Sequence, residues 1–371
     1  MLLFGVSLIT LGSVATPLRE KFMLDEIGIA GMFSILPFGF LVGSLIFGPI
    51  CDRFGYKLLL AISCILLFFG FEGIAFSTTS TILKASIFLF GTCGGAINGA
   101  TNALVSDISS SEKGANLSLL GVFFGIGALG MPFFLGLLRN TYSFETILAA
   151  VGWFSLFVGI AILLVKFPSS KQVYGFPLSK MGVLIKDPFI ILIAFYLFLQ
   201  SSFEAIINNW TTTYLQDRIR VSQEKALFAL TFFVLGMTLM RMLTGIFFRK
   251  MAPSKMILVS FVLILISILQ LWFSQNYLIT IIGLILLGAG LAGGFPIMLG
   301  LVGDNYSKIS GTAFSLVLVV ALTGNMLLNL LMGWVAHEFG IHHLLTVVLF
   351  EFVLMVILSV FIFKKNYSNK I

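Results

Sequence analysis

The chain has 371 residues, of which 59% are hydrophobic and only 10% charged. A soluble domain carries about a quarter charged residues, so this composition excludes a water-soluble enzyme or nucleic-acid-binding domain. The net charge of +7 fits basic loops gathered on one side of a membrane, and no nucleic-acid partner is expected.

Apolar runs near 20 residues mark spans, because about 20 residues at ~1.5 Å rise cross ~30 Å of hydrocarbon. With no water in that layer, each run must satisfy its own backbone and so forms a helix. The first run, 1–17, reads as a shortened span rather than a cleaved leader, since a basic start and a small-residue cleavage site are missing. The next five fall at 28–50, 57–77, 82–106, 114–138 and 145–166. The last six fall at 189–214, 226–248, 255–274, 277–302, 310–335 and 341–363. The expectation is an all-α membrane protein with twelve transmembrane helices.

The second span ends in Gly48-Pro-Ile-Cys-Asp52-Arg53-Phe-Gly55-Tyr-Lys57. Gly48 permits close helix packing and Gly55 a tight turn. Asp52 can pair with a base or cap a neighbouring helix N-terminus. The segment therefore reads as a conformational latch, with Arg241 placed in its second-half counterpart, Arg241…Gly245…Arg249-Lys250. That counterpart has no acid, so its latch is expected to be weaker or differently built. On the fourth span Asn98 and Asn102 lie four apart and share a face, as do Asn325 and Asn329 on the eleventh. Glycines 121, 125, 127, 130 and 136, with Pro132, stud the fifth span and invite packing and bending. The seventh span carries Gln200, Glu204 and Asn208 on one face, followed by Trp210 and Tyr214. Ionisable groups at membrane depth are costly and usually face a cavity. Amides and a carboxylate suit sugar hydroxyls, and an indole can stack on the apolar side of a sugar ring. Glu204 is the candidate proton-linked group, since a carboxyl withdrawn from bulk water is suited to trading a proton. Arg241 lies inside the eighth span, where it must pair with an acid or bind an anionic group. Glu72 near the outer end of the third span reads as a solvated carboxylate. Glu351 lies near mid-depth in the last span.

Two patterns concern the whole chain. Taking the start as cytoplasmic, fourteen Lys and Arg fall in inner loops against seven in outer ones, so both termini are expected inside. The second half also repeats the first at an offset of 197: Asp107 matches Asp304, Gly91 matches Gly288, and Gly114, Ser118, Gly127 and Gly136 match Gly311, Ser315, Gly324 and Gly333. The expected organisation is a six-helix bundle over 1–166, a cytoplasmic linker over 167–188 and a second bundle over 189–371.

The Gly48–Lys57 segment resembles the signature of the major facilitator superfamily. Glu204…Trp210…Tyr214, Asn102-Ala-Leu-Val and Gly125-Ile-Gly127-Ala resemble its fucose and glucose/galactose permease branch. At the first span Ser7 and Ser13 stand where the fucose permease has an acid. The resemblance implies two parallel six-helix repeats and a solute site near the midplane. It further implies a monomeric secondary transporter in a bacterial inner membrane, moving a small polar solute, with a sugar foremost, by alternating access. A proton or sodium ion is the expected coupling partner, and the lipid bilayer is the surrounding one. The expected solute contacts are Gln200, Glu204, Asn208, Trp210, Asn98 and Asn325. No Walker loop, catalytic triad or metal-ligand spacing is visible, so neither an enzyme nor a cofactor or metal is expected. Cys51, Cys64 and Cys93 read as small apolar residues. An exporter of drugs or metabolites, with a larger apolar pocket, and a non-transporting receptor or scaffold of the same fold are the alternatives.

Overall fold

The computed structural model describes residues 1–23, 26–138, 141–169, 182 and 184–368. The linker expected at 167–188 therefore lies largely outside the described residues. The described residues are helical, with no strand among them. In the first half the helices are α1 (Leu2–Ser13), α2 (Ala15–Phe22), α3 (Glu26–Phe54), α4 (Tyr56–Phe76), α5 (Ser80–Ile108), α6 (Lys113–Leu138) and α7 (Phe144–Leu164). In the second they are α8 (Pro188–Arg218), α9 (Gln223–Ile246), α10 (Pro253–Phe273), α11 (Tyr277–Leu291), α12 (Gly294–Asn305), α13 (Ser310–Phe339) and α14 (Leu344–Ser368). Among the described residues eleven stretches are long and apolar enough to cross a membrane, and Leu2–Ser13 is a shorter apolar helix. Every expected span thus has a helix, and the fold is an all-α membrane architecture.

Local chemistry sets the ends. Gly55 sits at φ +81° between α3 and α4, a backbone region that costs L residues about 1 kcal/mol or more. Asp187 accepts from the Phe189 N–H at 2.8 Å, and Pro188 follows it at the first helical position, a favoured start. Two expected spans are broken. The first divides at Val14, three residues before Pro17, whose ring nitrogen cannot donate. The tenth divides after Leu291, where Ala292-Gly293-Gly294-Phe295-Pro296 combines two helix-weakening glycines with a proline.

The chain forms two compact units. The first comprises Met1–Ile108, Phe123–Met181 and Tyr306–Ser315, and the second Ser109–Val122, Gly182–Asn305 and Leu316–Ile371. The two short pieces that join the opposite half, 109–122 and 306–315, begin 197 positions apart, the same offset as the sequence repeat. Within the first unit α3 packs on α5, and α4 on α5 and α7. Within the second α9 and α10 pack on α11, and α8 on α14.

The repeat is visible as packing. In the first unit a Cβ at Gly39 would lie 3.0 Å from the Gly91 Cα, and one at Gly91 would lie 2.6 Å from the Leu36 carbonyl oxygen. In the second unit a Cβ at Gly236 would meet the Ile285 carbonyl at 2.2 Å, and one at Gly288 the Phe233 carbonyl at 2.0 Å. Gly39 and Gly236 are again 197 apart, as are Gly91 and Gly288. Van der Waals contact is a main attraction between helices in lipid, so close backbone approach is stabilising. Gly288→Ala should therefore destabilise the detergent-purified protein by roughly 1–3 kcal/mol through overpacking. Gly136→Ala, with nothing within 4 Å of the new methyl, should leave the melting temperature almost unchanged. Equal melting temperatures for the two variants would refute this account of the packing.

The outer surface is apolar. Leu258, Val262, Leu265 and Leu269 form an exposed stripe along α10, and Trp153, Phe154 and Phe157 are exposed on α7. Such surface would drive aggregation in water and is the ordinary face of a helix in hydrocarbon.

Candidate functional site

Helix α8 carries a polar group in its interior. Glu204 lies 16 residues from one end of the helix and 14 from the other, so it is more than about 20 Å from either at ~1.5 Å rise. Gln200, one turn earlier, is fully enclosed. Its Nε2 donates to Glu204 Oε1 at 3.2 Å and to the Leu291 carbonyl at 2.8 Å. The break between α11 and α12 leaves that carbonyl at a helix end, where it needs an outside donor. Gly294, just past the break, makes room: a Cβ there would lie 2.1 Å from Gln200 Oε1 and 2.8 Å from the Tyr196 hydroxyl. The broken tenth span and the polar stripe of the seventh thus form one structure.

Arg241, expected in the latch and also to meet an acid or an anionic group, lies near this group. It interacts electrostatically with Glu204, yet among the described residues the two make no direct ion pair. Its Nε is enclosed and has no hydrogen-bond partner. Gly121 on α6 leaves space for the guanidinium: a Cβ there would be 2.9 Å from Arg241 Cδ and 3.2 Å from Nη1. Glu204 and Arg241 both keep partial accessibility. The glutamate faces an amide and a guanidinium, not an apolar surface.

The other expected contacts are distributed. Asn208 is exposed, and its Nδ2 donates to the Glu204 main-chain carbonyl at 2.7 Å. Trp210 Nε1 donates to Asn329 Oδ1 at 2.9 Å, so the indole edge is committed to α13. Asn325 Nδ2 reaches the Ser201 carbonyl at 3.4 Å, which keeps it beside α8. Asn98 lies in the first unit, where Asn102 Nδ2 donates to its Oδ1 at 3.0 Å and its carbonyl at 2.8 Å. Glu351 is buried and accepts from Ser202 Oγ at 2.7 Å across α14 and α8. Glu72, expected to be solvated, is partly accessible, with Oε1 enclosed without a partner against the α7 helix at Gly152. The sequence does not single out Tyr196 and Gly294, and it marks Gly121 as a packing glycine without its tie to Arg241. The Gly-Gly-Phe-Pro run at 293–296 was the visible signal for Gly294.

The expected latch residues surround a helix start. Asp52, almost fully buried, accepts from the Gly311 N–H at 3.1 Å, the Thr312 N–H at 2.8 Å and the Thr312 hydroxyl at 2.6 Å. These are first-turn groups of α13, whose free N–H donors and dipole favour an anion. Gly48 admits this approach, since a Cβ there would be 2.4 Å from the Gly311 carbonyl. Beside it Asp107 accepts from Ser310 Oγ at 2.8 Å and from the Tyr56 hydroxyl at 2.5 Å. Arg53 lies 5.2 Å from the Phe54 ring, and Lys57 is partly exposed in the first turn of α4.

The second-half counterpart is built with opposite charge. Arg249, 197 positions after Asp52, pairs with Glu112 and donates to Asn116 Oδ1 at 2.9 Å. Lys113 meets Asp304 at 3.1 Å, and these two are the repeat counterparts of Ser310 and Asp107.

The family model for the Major Facilitator Superfamily matches residues 1–269 and 226–370. The chain is 25% identical over 346 residues to the glucose/mannose transporter GlcP of Bacillus subtilis (strain 168), covering 89% of this chain and 84% of that one. The solved structure of FucP in the outward conformation superposes with a TM-score of 0.84 at 17% identity, over 97% of this chain and 96% of that one. The proton:xylose symporter XylE bound to 6-bromo-6-deoxy-D-glucose gives a TM-score of 0.80 at 13% identity, over 98% and 93%.

Proposed function

From the premise that the chain belongs to the Major Facilitator Superfamily, we propose that it is a proton-coupled transporter of a sugar, working by alternating access. The observation that carries this reading is Glu204 near the middle of the span-length helix α8, hydrogen-bonded to Gln200 and close to Arg241 of α9. A carboxyl kept there against the cost of burial needs a task, and binding a transported proton is the simplest. Asn208, one turn from Glu204, and Asn325, beside Ser201, supply hydrogen bonds to hydroxyls. The Trp210 ring offers an apolar face while its N–H stays on Asn329. The relatives support the solute class: one is called a glucose/mannose transporter and another a proton:xylose symporter.

Gly48, Asp52, Arg53, Gly55 and Lys57 act in this reading as the latch for one transport state. The repeats are six-helix bundles over 1–166 and 189–371. The protein resides as a monomer in a bacterial inner membrane with both termini cytoplasmic, as the loop charge indicates.

The test is uptake by proteoliposomes of the purified protein, with D-glucose, D-mannose, L-fucose, D-xylose, D-glucuronate and N-acetyl-D-glucosamine as labelled probes. An inward proton gradient should drive accumulation of at least one of them. Passive equilibration of every probe, unaffected by the gradient, would contradict the proposal.

A further inference from the structure

Arg241 has more donors than the protein uses. Its planar guanidinium carries five N–H groups in a fork that matches a carboxylate. Among the described residues it makes no hydrogen bond, its Nε is enclosed without a partner, and Glu204 is near without touching it. Gly121, having no side chain, gives the Arg241 side chain the room it occupies. An arginine inside a membrane protein normally meets an acid, a carbonyl or an anionic ligand. The groups around Glu204 are few: Arg241 from α9, Gln200 and Tyr196 from its own helix, and the Leu291 carbonyl region of α11 through Gln200. Glu351 of α14 is turned to Ser202.

We propose that the solute is an acidic sugar, whose carboxylate docks on the Arg241 guanidinium while Glu204 carries the coupled proton. This rests on the sugar-transport reading above and deepens it. Charge balance favours an anionic solute. In the empty site the Glu204 carboxylate and the Arg241 guanidinium sum to zero. Proton uptake by Glu204 alone leaves Arg241 as an uncompensated interior charge, and a neutral sugar does not relieve it. A sugar carboxylate restores neutrality, so proton and anion favour each other's binding. The proton goes to a Glu204 oxygen on loading and leaves from it on release, and no other bond changes. One proton enters per anion, so transport moves no net charge.

The test uses proteoliposomes of the full chain under an inward proton gradient, with D-glucuronate and D-glucose in direct competition and a potential-sensitive dye present. D-Glucuronate should win and should accumulate without changing the membrane potential. Arg241→Gln should lower D-glucuronate uptake roughly tenfold or more, the value of a charge-assisted hydrogen bond, and Arg241→Lys should restore part of it. The wild-type arms decide the matter even where Arg241→Gln fails to fold. D-Glucose winning, with positive charge carried inward, would overturn the acidic-sugar assignment and leave proton–sugar transport standing. D-Glucuronate uptake that moves net charge would overturn the charge pairing. Accumulation of neither probe, or of any other sugar in the panel above, would overturn the transport reading itself.

Discussion

Glu204→Gln should abolish proton-driven accumulation while leaving exchange of solute across the membrane largely intact. Glutamine has the size of glutamate, and its Oε1 can still accept from Gln200 Nε2. The local packing, and with it the tie from Gln200 to the broken tenth span, should therefore survive. What is lost is the ability to hold a proton. A gradient of one pH unit stores about 1.4 kcal/mol per proton and supports roughly tenfold accumulation. In the variant the internal-to-external solute ratio should stay near one whatever gradient is imposed. Counterflow, in which trapped unlabelled solute draws in labelled solute, needs no net proton movement and should persist. Uphill uptake at the wild-type level in Glu204→Gln would remove this residue from the coupling step.

Asp52→Ala is expected to have the largest effect outside that group. Its carboxylate receives two backbone N–H groups and a hydroxyl at the start of α13. Hydrogen bonds to a charged group contribute about 1.5–3 kcal/mol each, and donors left unpaired in a buried place add to the loss. The three are not additive, so a total of roughly 3–5 kcal/mol is expected. The purified variant should melt several degrees lower, and its transport rate should fall, because a few kcal/mol is enough to shift the balance between two conformations by more than tenfold. Asp52→Asn, which keeps an acceptor oxygen, should recover part of both. A variant Asp52→Ala with unaltered melting and transport would show that the contact neither holds the fold nor sets the state. The counterpart at Arg249 is half-exposed, and its ion pair with Glu112 should contribute only about 0–1 kcal/mol.

Much of the fold was legible because membrane spans are read from length and hydrophobicity alone. Those signals placed α3 to α14 within a few residues in most cases. The exceptions have local causes. Val14 breaks the first span ahead of Pro17. The tenth breaks at Gly293-Gly294, whose effect on packing depends on Gln200, 94 positions earlier. Within the site, the one-face spacing of Gln200 and Glu204 was readable from helical periodicity, and the structure brings them together. Asn208 has the same spacing but turns to its own backbone, which periodicity does not report. Arg241 was legible as a charge that needs an acid or an anion, but which acid it lies near was not, because its side chain follows the space left by Gly121. That space is a tertiary fact, fixed by a residue 120 positions away. The acid-free second latch was legible as an absence, but its replacement by Glu112 and Asn116 needed the fold.

The central claim is that solute and proton cross together. It is tested most directly in proteoliposomes loaded with a pH-sensitive dye, with no gradient imposed and an accumulated-sugar probe added outside. Solute entry should acidify the lumen in the wild type, and in Glu204→Gln the same addition should leave the luminal pH unchanged. Solute entry into wild-type vesicles with no change in luminal pH would contradict the account.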